Sequence, residues 1–255
     1  MENIDYQKQS IITRAIIKAA VLMSEYGAES ILIEQTAQRL GHALGVDSVE
    51  ISMIPVAIVL TTLHKHQSVT TTRRVHHKPI NMSIVCDIQK IVIDIEKKSY
   101  DVTYLLAKLK EIQPNYYNRW LVVFMVGLAC ASFAFLQGSD WMAFFITFFA
   151  SSTAMFVRQE LARRRFVLII TFGVTAFTAT MIASISQLLS STPSIALASS
   201  VLLLAPGFSF VNSFLDALKG YLMMGWGRWM EGILLTIATS IGIIIAMAIL
   251  NIKGW

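Results

Sequence analysis

The stretch SIALASSVLLLAPGFSFVNSFLDALKG, from Ser194 to Gly220, decides how the chain is read. Up to Ala205 it carries no charge and reads as membrane helix. Pro206-Gly207 then interrupts it, because proline lacks the backbone N–H and clashes with the carbonyl four residues back. Irregular backbone at membrane depth is tolerated only against protein or a water-filled cavity. A half-helix restarting at Gly207 would aim its positive N-terminal end into such a cavity, where an anion fits. Ser209, Asn212 and Asp216 follow at helical spacing and share one face. An intramembrane carboxylate is costly unless it is used, so Asp216 is the first candidate for substrate or ion binding, with Asn212, Ser209 and Gly207 beside it. The competing reading is that Asp216 pairs with Lys219 one turn later, anchoring a helix end, and that Pro206 is an ordinary kink.

Outward from this stretch, apolar runs long enough to span hydrocarbon lie at 120–136, 141–157, 166–189, 195–218 and 233–250. The composition agrees: 55% apolar, 15% charged and a mean hydropathy of +0.60, against about 25% charged in ordinary soluble chains. Only Asp140, Glu160, Asp216 and Glu231 among the sixteen acidic residues lie beyond Tyr117, and all five histidines precede it. The expected fold is therefore a soluble α+β N-terminal domain over 1–117, followed by an all-α membrane domain over 118–255. That second domain has five transmembrane helices, the fourth broken at Pro206-Gly207.

Basic residues alternate between the loops. Arg158, Arg163, Arg164 and Arg165 follow the second run, and Lys219 and Arg228 follow the fourth, whereas 137–140 and 187–194 contain neither Lys nor Arg. The positive-inside rule then places the N-terminus in the cytoplasm and the C-terminal end, with Lys253 and Trp255, outside. Trp120, Trp141, Trp226, Trp229 and Trp255 fall near run ends, where indoles favour the headgroup zone. Met1 to Ser10 has no apolar core of a cleavable signal peptide. The net charge of +5 comes largely from arginines flanking apolar runs, so nucleic acid is not an expected partner. Cys86 and Cys130 are too few for a disulfide framework.

In the first 117 residues, an amphipathic helix is expected over 7–26, with Ile11, Ala15, Lys18 and Leu22 on one face and Gly27 ending it. A second helix should run from Ser30 to Leu40 and stop at Gly41. Strands are expected at 49–54, 57–63 and 68–75, a helix at 82–98 and a short helix before Pro114.

The remaining candidates are weaker. Ser152 and Thr153, beside Ser151 at the end of the second run, can hydrogen-bond a substrate or their own helix carbonyls. Arg158 can attract carboxylates into a cytoplasmic vestibule, although topology already explains an arginine there. Small residues at every fourth position, Thr171/Thr175/Ala179/Ala183 and Ala238/Gly242/Ala246, fit helix packing. His64/His66 and His76/His77 lack a Cys or acidic residue to complete a site, so no metal is expected. No phosphate-binding glycine loop or nucleophile–base pairing is present, which argues against ATP hydrolysis and against an enzyme acting through Glu29 or the histidines. No cofactor is expected.

Several motifs in order carry a resemblance. They are Tyr26-Gly-Ala-Glu-Ser30, Gly41-His-Ala-Leu-Gly45, Asn81-Met82, and Pro206-Gly207 followed by Asn212, Asp216 and Lys219-Gly220. With them the chain resembles the threonine/serine exporter (ThrE) family over nearly its whole length. The runs Arg119-Trp-Leu-Val122, Ile146-Thr-Phe-Phe-Ala-Ser-Ser-Thr-Ala-Met155 and Ala198-Ser-Ser-Val-Leu-Leu-Leu204 are similar to its YjjP-type branch of half-size subunits. That resemblance implies a bacterial inner-membrane protein exporting succinate, or else threonine or serine, by secondary transport. It also implies a small YjjB-type membrane partner and a possible higher oligomer. A regulatory or scaffold subunit is the other class that the residues leave open.

Overall fold

The computed structural model describes residues 5–76, 78–98 and 100–252, so His77, Lys253 and Trp255 lie outside the described residues. In chain order the elements are α1 (Tyr6–Glu25), α2 (Ser30–Ala43), β1 (Ser48–Ile54), β2 (Ala57–His64), β3 (Gln67–Arg74), α3 (Met82–Lys98) and α4 (Val102–Glu111). There follow α5 (Arg119–Leu136), α6 (Trp141–Arg163), α7 (Leu168–Ala183), α8 (Ser186–Leu189), α9 (Pro193–Ser200), a 3-10 turn (Leu202–Leu204), α10 (Gly207–Leu218) and α11 (Leu222–Ile249). The chain forms two compact units, Met1–Tyr116 with Phe210–Trp229, and Tyr117–Ser209 with Met230–Trp255.

In the first unit β1, β2 and β3 form an antiparallel meander, with Ile51 opposite Leu60 and Thr62 opposite Val69. Helix α1 packs on this sheet. Its buried face is Ile12, Ala15, Ile16, Ala19, Ala20 and Met23, whereas Ile11 is exposed, so the core-facing stripe is rotated from the expected one. The buried Gln9 fixes the orientation by donating to the Thr62 carbonyl at 3.0 Å, and Thr13 meets Thr62 Oγ1 at 2.7 Å. Gly27, at φ +94°, lets the chain turn sharply out of α1 into α2. Helix α2 continues through Gly41 to Ala43. A Cβ at Gly41 would lie 2.1 Å from Val49 Cγ2, so this glycine serves close helix–strand packing rather than termination.

The second unit is helical. Its helices bury small residues, with Ala131 and Ala134 on α5, Ala143, Ala150 and Ala154 on α6, and Ala176 and Ala179 on α7. Large apolar side chains such as Phe124, Phe145, Ile169 and Ile244 face outward. That inversion is what a lipid environment selects, because burying Leu or Phe gains nothing against acyl chains while small residues let backbones approach. Gly242 illustrates the approach: a Cβ there would sit 2.2 Å from the Gly173 carbonyl oxygen.

The expected fold class, a soluble α+β N-terminal domain followed by an all-α membrane domain of five helices, is corrected. The described chain is 70% helical with one small three-stranded sheet, and residues 210–229 belong to the same unit as the N-terminal segment. Among the described residues, four helices are long and apolar enough to cross a membrane: Arg119–Leu136, Trp141–Arg163, Leu168–Leu189 and Leu222–Ile249. The fourth expected span, read as broken at Pro206-Gly207, is a pair, Pro193–Leu204 and Gly207–Leu218, bent by 58°. The cause is local. Pro206 holds Ala205 in extended backbone (φ −63°, ψ 118°), so the 3-10 turn cannot continue as helix.

Candidate functional site

Within the first unit, α10 ends in a glycine turn. Gly220 has φ +90°, and the Tyr221 N–H donates 2.8 Å back to the Asp216 carbonyl. A carboxylate in the last turn of a helix opposes the helix dipole. Asp216 avoids that cost by pointing at another helix end. Its Oδ1 accepts the Ser30 N–H at 3.1 Å, filling the N-terminal cap of α2 that Glu29's side chain leaves unmade. Its Oδ2 lies 2.9 Å from Arg228 Nη1 on α11, and the aspartate is fully buried.

The surrounding contacts repeat the pattern. Arg228 Nη2 donates to the Ala28 carbonyl at 2.7 Å and Asn212 Nδ2 to the Gly27 carbonyl at 3.4 Å. Lys219 Nζ meets Glu29 at 2.6 Å, and the Tyr221 hydroxyl donates to Glu34. Burial first, then the hydrogen bond to Glu34, pushes the Tyr221 phenol above its ordinary value of 10.0. Residues 25–34 are tied from a second side, where Lys78 pairs with Glu25 at 2.5 Å and the Asn81 N–H donates to the Tyr26 carbonyl at 3.2 Å. The motif from Tyr26 to Ser30 is thus a clasped turn, held by α10, α11 and the strap before α3.

Within the second unit, Arg158 on α6 turns inward. Its guanidinium lies 4.7 Å from the Phe172 ring centroid and donates to the Leu203 carbonyl at 3.2 Å, in the 3-10 turn just before the Pro206 break. Among the described residues of this unit no carboxylate forms an ion pair with it. A carbonyl supplies only partial negative charge, and a planar guanidinium presents five N–H groups suited to a carboxylate. Seven residues earlier, about two turns, Ser151 Oγ donates to the Ser200 carbonyl at 3.1 Å, tying α6 to the helix before the break. Gly207 is open, with nothing near the position of an added Cβ.

Three consecutive helix residues step by about 100° each, so Ser151, Ser152 and Thr153 cannot share a face. Ser152 packs against Gly127 of α5, where an added Cβ would meet its hydroxyl at 2.0 Å, and Thr153 is exposed. Of the sequence candidates, the structure brings Asn212 and Asp216 together on the clasp, and places Arg158 at the turn leading to Pro206 and Gly207. Ser209 is half-buried at the start of α10. The spacing of the motifs did not reveal Ser30, Glu34, Tyr221 or Arg228 as partners of α10, nor Leu203 and Phe172 as partners of Arg158. The only available signal was that Tyr26–Ser30 and Lys219-Gly220 both stand among the family-like motifs.

At the opposite end of the second unit, Asp140 caps α6 through Ala143 N–H at 3.3 Å and accepts from Ser190 at 2.5 Å and Thr192 at 2.9 Å. These hydrogen bonds, Ser190's first, hold its carboxyl below the ordinary 3.8. Among the described residues no three His, Cys, Asp or Glu side chains converge as metal ligands, and His64 faces Asp47 at 3.3 Å.

The family profile of ThrE, described as "Putative threonine/serine exporter", matches residues 14–250. The chain is 44% identical over 98% of its length, and 98% of the relative's, to "Probable succinate transporter subunit YjjP" of Escherichia coli. It is 43% identical over the same shares to the protein of that name from Klebsiella aerogenes. A "Probable threonine/serine exporter" of Mycobacterium tuberculosis is 22% identical over 95% of this chain and 47% of its own. No solved structure matches. With a match across nearly its full length and several helices suited to lipid, the chain is a multi-pass membrane protein that belongs to the ThrE family.

Proposed function

We propose that this chain is a subunit of a bacterial inner-membrane secondary exporter of a small carboxylate, with succinate as its substrate. It would work with a small YjjB-type membrane partner, in keeping with the word subunit in the names of its 44% and 43% identical relatives. The observation that carries the reading is Arg158, a guanidinium among apolar helices that, among the described residues, donates to one carbonyl and lies over one aromatic ring, next to a broken helix. An arginine turned inward at the end of an apolar helix is costly unless it meets a counter-charge or lines a polar cavity. A substrate carboxylate arriving there replaces a weak acceptor with a full charge. The Gly207 end of α10, beside which an added Cβ would meet nothing, adds a positive helix terminus of the kind that favours anions. The basic residues Arg163, Arg164, Arg165, Lys219 and Arg228 favour a cytoplasmic N-terminus and a periplasmic C-terminus.

Threonine or serine is the second reading, favoured by the family description and by the same arginine, since amino acids also present a carboxylate. Inverted membrane vesicles containing the chain, with and without the YjjB-type protein, distinguish the two. Labelled succinate should accumulate only with both proteins and should fail to accumulate with Arg158→Gln. Accumulation of threonine but not succinate selects the second reading. Undiminished flux with the partner alone makes this chain a regulatory or scaffold subunit.

A further inference from the structure

The clasp that holds residues 210–229 leaves their other face uncovered. On α10, Val211, Phe214 and Leu218 recur at helical spacing and are 60%, 62% and 68% exposed. Leu222, Met223 and Trp226, at the start of α11, are exposed at 66%, 67% and 65%. The segment cannot roll to hide them, because Asn212, Asp216 and Arg228 pin the opposite side to residues 27–30. The tip of the β1–β2 hairpin extends the same apolar surface. Pro55 seats against Gly227, where an added Cβ would be 2.2 Å from its Cγ, and the adjoining Val56 is 56% exposed.

We infer that this apolar face of residues 210–226, with the hairpin tip at Val56, lies in the headgroup–acyl boundary of the bilayer. Three observations select lipid as the occupant. First, the exposed row on α11 runs unbroken from Trp226 through Leu234, Ile237 and Ile241 to Ile245, along one helix long enough to cross the membrane. Secondly, Trp226, 65% exposed, supplies an indole of the kind that anchors chains at headgroup depth. Thirdly, α10 has 12 residues, roughly 18 Å of helix, well short of the ~30 Å hydrocarbon core, and it is bent 58° from the helix before it. A short helix with one protein-clasped polar side and one bare apolar side lies in an interface rather than across it.

The test uses the unaltered full chain in liposomes of phosphatidylethanolamine and phosphatidylglycerol. The lipids carry a photoreactive diazirine either beside the headgroup or at the acyl terminus, and adducts are mapped by mass spectrometry. The headgroup-proximal probe should label peptides covering 54–56 and 211–226 several-fold more than the acyl-terminal probe. Residues 237–245 should show the reverse preference. Acyl-terminal labelling of 211–218 equal to that of 237–245 would make α10 a membrane-crossing segment and overturn the inference. So would absence of both adducts there while 237–245 is labelled, which would mean that water, a partner or a second copy covers the face.

Discussion

Asp216 and Arg158 are both charged groups in apolar surroundings, and they are held in opposite ways. Asp216 is paired: one oxygen accepts a helix-capping N–H, and the other lies 2.9 Å from a guanidinium nitrogen as an ion pair. Arg158 is undersupplied, with one carbonyl and one ring, and within its unit no carboxylate of the described residues. An ion-paired buried charge resists change and fixes architecture, because removing either partner strands the other. An undersupplied one retains affinity for an arriving anion. The sequence ranked Asp216 above Arg158 as a substrate or ion contact; the geometry supports the reverse order as a proposal.

The comparison breaks most easily at Asp216. Asp216→Ala should destabilise by about 3–5 kcal/mol, the cost of leaving a buried charge unpaired, read as a large fall in thermal midpoint of the detergent-solubilised chain. Arg228→Met combined with Asp216→Leu should recover much of that loss. Asp216→Asn sharpens the point. If export falls while the thermal midpoint holds, Asp216 couples to transport rather than clasping the fold. The counterpart is Arg158→Gln, which should reduce succinate flux about tenfold or more, roughly 1.4 kcal/mol per decade, with little change in thermal midpoint. Unchanged flux would remove Arg158 from the substrate path.

Smaller effects test the surroundings. Gly225→Ala places a methyl 2.7 Å from the Ser213 carbonyl oxygen and should cost about 1–3 kcal/mol in thermal denaturation through overpacking. Lys219→Ala, which removes a half-exposed pair with Glu29, should cost about 0–1 kcal/mol, less in high salt. At Asp140 the folded-state carboxyl lies below its ordinary 3.8, so its contribution is present above that pH and is lost as pH falls through the lowered value. Unfolding scans between pH 5 and 2 should show a steeper loss for the native chain than for Asp140→Asn.

Much of the molecule was legible in its residues. The strands and α3 fall within a residue or so of the expected bounds, because alternating Val, Ile and Thr bounded by Pro55 leaves few other conformations. The Pro206 break was legible for an equally local reason. The core-facing side of α1 was not, since Ile11, Ile12, Ile16 and Ile17 surround the helix with apolar choices and only the position of the sheet selects among them. Nor was the role of Gly41, whose meaning depends on Val49 approaching from a strand.

The sequence by itself determined that the second half is lipid-compatible, where the chain bends and which residues carry charge there. These follow from transfer free energies and backbone sterics that act within a few residues. Tertiary structure alone decided what each charge faces: that Asp216 meets Ser30 and Arg228, 186 residues away in one case, and that Arg158 meets Leu203. Electrostatic partners are set by distance in space, and spacing along the chain carries no information about a contact made between separate helices.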